Sequence, residues 1–133
     1  MQPIPTEAIH RITTRTLTTG GATFDLTTLS FVPPADYWYF PRHPSRTAIV
    51  DQHHLAAELA TFIDHNRAVC ETAGTWLGTW LNPSSGQCYL DVTTRLADRD
   101  AALREARRVS DLEGRRVVSI YNPGRDRTAY VRF

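Results

Sequence analysis

Residues 75–93, Thr-Trp-Leu-Gly-Thr-Trp-Leu-Asn-Pro-Ser-Ser-Gly-Gln-Cys-Tyr-Leu-Asp-Val-Thr, decide the fold. Two runs in which apolar residues alternate, the period of a strand, flank the turn formers Asn-Pro-Ser-Ser-Gly. The stretch therefore reads as a β-hairpin over about residues 75–96. Upstream, Asp51 is a helix N-cap. Leu55, Leu59, Phe62, Ile63, Asn66, Val69 and Cys70 then recur at helical spacing until Gly74 supplies a stop. Downstream, Asp98 caps a second helix with Ala102, Leu103, Ala106 and Val109 on one stripe and Arg104, Arg108, Asp111 and Arg115 opposite, ended by Gly114. A strand over 117–121, a turn at Asn122-Pro-Gly-Arg-Asp and a strand over 128–133 follow.

A short strand over 47–50 before the first helix gives the order βαββαβ, the ferredoxin-like split pattern. If that segment is only a lead-in to the helix, the same elements still make an antiparallel sheet with two helices on one face. Both versions are α+β. Segments 13–17 and 22–26 are rich in β-branched residues around Thr19-Gly20-Gly21, which predicts an N-terminal hairpin. Between Ser30 and Pro44, Tyr37-Trp38-Tyr39-Phe40 favour an extended chain, and the flanking prolines predict an edge strand. The expected organisation is one domain over 1–133: an N-terminal hairpin and aromatic/proline segment over 1–46, and a helix–hairpin–helix–strand core over 47–133.

At 133 residues, 41% hydrophobic and 22% charged, the chain has globular composition and length enough for one core. All 15 of its basic side chains are arginine, which excludes Schiff-base lysines and the P-loop lysine. An arginine-only, alanine- and threonine-rich composition is also what a GC-rich genome writes. The net charge of +1 argues against both a non-specific nucleic-acid binder and an acidic mimic of DNA. The charge is uneven: residues 1–90 hold five arginines and seven acids, residues 91–133 ten and seven. Neither a signal-peptide core nor a membrane span can be read, so a cytoplasmic protein with no membrane partner is expected, as a monomer or small homo-oligomer.

The run Gly-Thr-Trp-Leu-Asn-Pro-Ser-Ser-Gly-Gln-Cys-Tyr-Leu-Asp-Val-Thr-Thr-Arg-Leu-Ala-Asp-Arg-Asp-Ala-Ala-Leu-Arg-Glu-Ala-Arg from Gly78, followed by Val118-Ser-Ile-Tyr-Asn, resembles a family of small uncharacterised proteins of actinobacteria and their phages and plasmids. That family has a G-x-W, turn, G-x-x-Y-L-D-V hairpin, an Ala/Arg-rich helix, a final A-I-x-D strand and an N-terminal G-G-A-T element, which Gly20 to Phe24 match. The likeness spans roughly residues 20–122. It implies an accessory gene of a mobile element and no named activity. Asn122 stands where the family often has aspartate, so it is no shared functional acid.

Chemistry-bearing residues are sparse. His54, Glu58, Thr61 and His65 follow one helical stripe, yet the two histidines lie about 16 Å apart at the helical rise, too far to share an ion, and a hydrophilic helix margin explains them. Cys70 and Cys88 fall on apolar faces and read as buried free thiols. Asp25 and Asp91 sit in threonine-flanked strands, and nothing in the sequence brings them together. No catalytic residue, metal ligand or cofactor is therefore assigned. The leading expectation is a non-enzymatic module that binds an unidentified protein through Tyr37, Trp38, Tyr39, Arg42 and Arg46, since aromatic residues and arginine favour interfaces. The alternative is nucleic-acid binding by the aromatic strand together with the arginine-rich second helix, through Arg104, Arg107, Arg108 and Arg115. Arg95, Arg99 and Arg116 lie in the same basic cluster, interleaved with acids as on a solvated helix face.

Overall fold

The hairpin of residues 75–96 forms and becomes the middle of the molecule. A computed structural model describes residues 3–133; Met1 and Gln2, at the head of the segment read for a leader, lie outside the described residues. Among those residues three helices, α1 (Thr6–Thr19), α2 (Leu55–Cys70) and α3 (Arg99–Glu113), accompany one sheet. Its strands are β1 (Gly21–Asp25), β2 (Ser30–Phe31), β3 (Trp38–Pro41), β4 (Ala48–Asp51), β5 (Trp76–Leu81), β6 (Gln87–Leu96), β7 (Ser119–Asn122) and β8 (Arg127–Tyr130). Every pairing is antiparallel and the order is β2-β1-β5-β6-β3-β7-β8, with β4 also on β6. The α+β reading holds. Among the described residues no helix is long and apolar enough to cross a membrane.

The connectivity follows the split pattern. β4 and β5, joined through α2, both pair with β6 between them, and β6 and β7, joined through α3, both pair with β3 between them. The first strand of that pattern is real but broken in two. β3 and β4 lie end to end on one edge of β6, with Trp38 opposite Leu96 and Ala48 opposite Leu90. A 3₁₀ turn (Pro44–Arg46) is the insertion between them. Both later helices hold it: His43 Nδ1 lies 2.8 Å from Glu113 Oε2 on α3, the Ser45 hydroxyl donates to Glu113 Oε1 at 2.7 Å, and Arg46 donates to Asn66 Oδ1 of α2 at 2.9 Å.

Asp98 behaves as the sequence reading required and accepts from the Ala101 amide at the start of α3. Asp51 accepts from the His53 amide but caps a separate 3₁₀ turn (Gln52–His54); α2 itself starts from His54, without a side-chain cap, and ends at Cys70 with Glu71 as its C-cap, short of Gly74. Two further expectations fail. Residues 13–17 belong to α1, not to a hairpin. Ala8, Ile9, Ile12 and Thr16 form a buried helical stripe, and the threonine hydroxyls fold back on carbonyls one turn earlier: Thr16 on Ile12, Thr18 on Thr14 and Thr19 on Arg15. Burial of that stripe outweighs the β-branched propensity. Gly20, at φ 94°, ends the helix where any side chain would be strained. Nor is the aromatic strand an edge: β3 pairs with β6 on one side and, through Tyr39 opposite Tyr121, with β7 on the other. The open strands are β2 and β8 at the two ends and β4, which pairs with β6 alone.

Alternation along the strands separates two faces. Phe24, Leu77, Cys88, Leu90 and Val92 pack with α1 and α2 residues such as Ile12, Leu59 and Phe62. Trp38, Phe40 and Ile120 pack with Ala102, Ala106 and Val109 of α3. Because Phe40 is opposite Thr94 and Leu77 opposite Val92, both clusters lie on the same face, and so do all three helices. The other face carries no element of the described residues.

Candidate functional site

The register of the central hairpin builds this uncovered face. Trp76 stands opposite Thr93, Gly78 opposite Asp91 and Trp80 opposite Tyr89, all on the side away from the helices. β4 adds Ile49 opposite Tyr89; β3 and β7 add Tyr39 opposite both Arg95 and Tyr121. A side chain at Gly78 would meet Thr93 Cβ at 3.1 Å, so the glycine keeps the centre flat between the two tryptophans.

Two aromatic groups result. In the first, the Arg95 guanidinium lies 4.0 Å from the ring centre of Tyr37, 4.8 Å from Trp76 and 5.7 Å from Tyr39, and its Nη1 donates to the Tyr39 hydroxyl at 2.8 Å. The cation is thus held by rings and a phenol. In the second, Trp80 and Tyr89 are 5.2 Å apart at 52°, beside Ile49. Trp80 is 48% exposed, Ile49 43%, Tyr121 42% and Tyr130 71%. Such a concentration of large exposed apolar side chains on one face marks a contact surface.

Asp91 lies at the seam where β3 gives way to β4. Its carboxylate accepts from the Thr47 hydroxyl at 2.5 Å, and Arg115 donates to the Thr47 carbonyl at 2.6 Å. Although the residue keeps some surface, its carboxyl is enclosed. That burial pushes it up to about 6, against the opposing pull of Thr47 and the Arg115 charge.

Of the five residues expected to bind a partner, Tyr37 and Tyr39 lie on this side of the sheet, but Tyr37 is half-buried and Tyr39 is buried, 9% exposed. Trp38, only 6% exposed, is buried beneath α3. Arg42 and Arg46 turn to the helical side: Arg46 bonds Asn66 of α2. Glu105 of α3 is held below its usual value by the Arg108 hydrogen bond first, with the Arg42 charge also contributing. The arginine-rich helix does not join the aromatic strand into one surface either, because α3 lies on the opposite side of the sheet from Tyr37 and Tyr39. Arg108 pairs with Glu105 at 2.6 Å, Arg107 lies 3.9 Å from Asp111, and Arg115 is engaged at Thr47. Arg104 is exposed and forms no ion pair among the described residues.

The remaining candidates stay apart. His54 falls in the 3₁₀ turn before α2, so the stripe with Glu58, Thr61 and His65 is broken, and all four are exposed. Among the described residues no cluster of three His, Cys, Asp or Glu side chains could hold a metal. Asp25 accepts from the Thr27 and Thr28 amides in a turn on β1, with β5 between it and Asp91. Cys70 and Cys88 are buried and free, and burial pushes the Cys70 thiol up to about 12 and the Cys88 thiol upward. Both thiols are expected to resist DTNB in the native protein near pH 7.5 and to titrate together on denaturation; fast native reaction of either would contradict its place in the core.

Sequence reasoning missed Trp76, Trp80, Tyr89, Ile49 and Tyr121, and set Arg95 in the basic cluster around the second helix, whereas it lies among the rings of the sheet face. Their signal was present in the hairpin, which alternates Trp76, Gly78 and Trp80 with Leu77, Thr79 and Leu81. Both sets are apolar enough to be core, and only the placement of the helices decides which is covered. Compared with protein-family models, with curated proteins and with solved structures, the chain gives no match in any of the three.

Proposed function

We propose that this chain is a non-enzymatic protein-interaction module whose contact surface is the uncovered sheet face. It acts in the cytoplasm as an accessory protein of an actinobacterial chromosome, phage or plasmid. The observation that carries the reading is the row of exposed Trp80 and Ile49 around half-buried Tyr89, beside the ring-held Arg95. Interface centres are poor in free charge and rich in Trp, Tyr and Arg, and this face has that make-up. Nucleic acid is favoured less, because stacking platforms work beside a groove of cations that tracks the phosphates. Here Arg95, the one strand arginine among the rings of the described residues, already lies against Tyr37 and Tyr39, and the basic helix is on the far side.

A photo-crosslinking side chain placed at Trp80 tests this against the same group at Leu112, an exposed α3 residue on the helical side. In host lysate the Trp80 position is expected to yield a discrete adduct with a protein, unchanged by nuclease and absent from the Leu112 position. An adduct destroyed by nuclease, or equal labelling from both positions, would reject the proposal.

A further inference from the structure

We propose a second site, independent of the sheet face: a phosphate-binding cleft between α1 and β2. The cleft, about 370 Å³, is lined by His10, Arg11, Thr14, Arg15, Thr18 and Phe31, among others. The helical period puts Arg11 and Arg15 one above the other, with His10 and Thr14 beside them. Phe31 supplies the floor. Its ring meets Phe24 edge-on at 5.1 Å and 82°, and Phe24 is fully buried, so the floor is anchored in the core.

The Arg15 guanidinium lies 3.7 Å from the centre of the Phe31 ring and Arg11 5.3 Å. Attraction to a ring does not use up the hydrogen-bond donors of a guanidinium, so those not taken by protein acceptors can bind a ligand. Neither arginine forms an ion pair or a side-chain hydrogen bond among the described residues. Glu7, one turn before Arg11, is not paired with it. Arg95 is the contrast, held close to rings as well but donating to the Tyr39 hydroxyl. Two positioned guanidinium groups with unfilled donors, an imidazole and threonine hydroxyls fit an anion with several oxygens and more than one charge. A phosphoryl group meets that description and a carboxylate does not, and arginine forks match phosphate geometry. The ligand class is a phosphate ester or pyrophosphate-type anion.

The test is calorimetric titration of the full chain with inorganic pyrophosphate at low ionic strength, with orthophosphate and acetate as parallel arms. Saturable one-site binding of pyrophosphate is expected, weaker binding of orthophosphate, and none of acetate. The double variant Arg11→Gln/Arg15→Gln should weaken pyrophosphate binding by at least about tenfold, whereas Arg104→Gln/Arg127→Gln, which removes the same charge from exposed positions elsewhere, should change it less than about twofold. Phe31→Leu keeps the charge and removes the platform, and is expected to weaken binding as well. Absence of saturation, acetate binding as well as pyrophosphate, or equal losses in the two arginine pairs would overturn the site.

Discussion

Trp38→Ala is expected to lower the free energy of unfolding by about 3–5 kcal/mol, and Trp80→Ala by no more than about 1 kcal/mol. The two tryptophans differ in sequence setting very little, each in an alternating apolar strand. They differ in what lies above them. Trp38 is capped by Ala102 and Ala106, both fully buried, and by Val109. Small residues let the helix backbone approach the indole, and once the indole is gone they have no side chain with which to fill the gap. Trp80 loses only its contact with Tyr89 and half-exposed surface. Since a domain of this size is stable by only about 5–15 kcal/mol, the first substitution brings it close to unfolding and the second does not. Urea denaturation gives both values, read as shifts of midpoint at constant slope. A cost below about 1 kcal/mol for Trp38→Ala would mean that α3 does not seat on β3. The pair also separates stability from function, because only Trp80 faces the proposed partner.

What could be read from sequence depended on whether the deciding interaction was local. Asp98 and Gly114 are a cap and a stop whose partners lie within a few residues, and α3 lies where they put it, whereas α2 begins one 3₁₀ turn after Asp51 and ends at Cys70, short of Gly74. The Asn82-to-Gly86 turn fixed the central hairpin in the same way. α1 has no such punctuation beyond Gly20: its N-cap is Pro5, which makes no side-chain cap, and its threonines argue for strand until Thr16 is found 2.6 Å from the Thr79 hydroxyl under the sheet. That contact spans the chain and is invisible locally. β3 was misjudged for a related reason. Pro33, Pro34, Pro41 and Pro44 suggest an edge, yet the partner strands are met between them, at Trp38, Tyr39 and Phe40. The candidate face was half legible. Tyr37 and Tyr39 were singled out, but the residues that complete the cluster with them, Arg95 and Trp76, come from strands whose register with β3 no single segment discloses. A run of aromatics says that an interface or a core is present, and the number of layers decides which.

Asp91→Asn is expected to stabilise the protein near neutral pH by up to about 3 kcal/mol and to leave it unchanged near pH 4. The sign follows from the raised native value. An unfolded aspartate releases its proton near 3.8, whereas the native carboxyl at the β3–β4 seam holds it until about 6. Between those values the folded state binds the extra proton, so this residue's contribution falls as pH rises from about 4 to about 6 and is constant above. An upward displacement of roughly two pH units corresponds to about 3 kcal/mol. The asparagine amide keeps an acceptor for the Thr47 hydroxyl but never ionises, so the variant should lose that slope and not the bond. Urea unfolding of both proteins across pH 4–7.5 measures the difference directly; parallel curves would show that Asp91 is not the source.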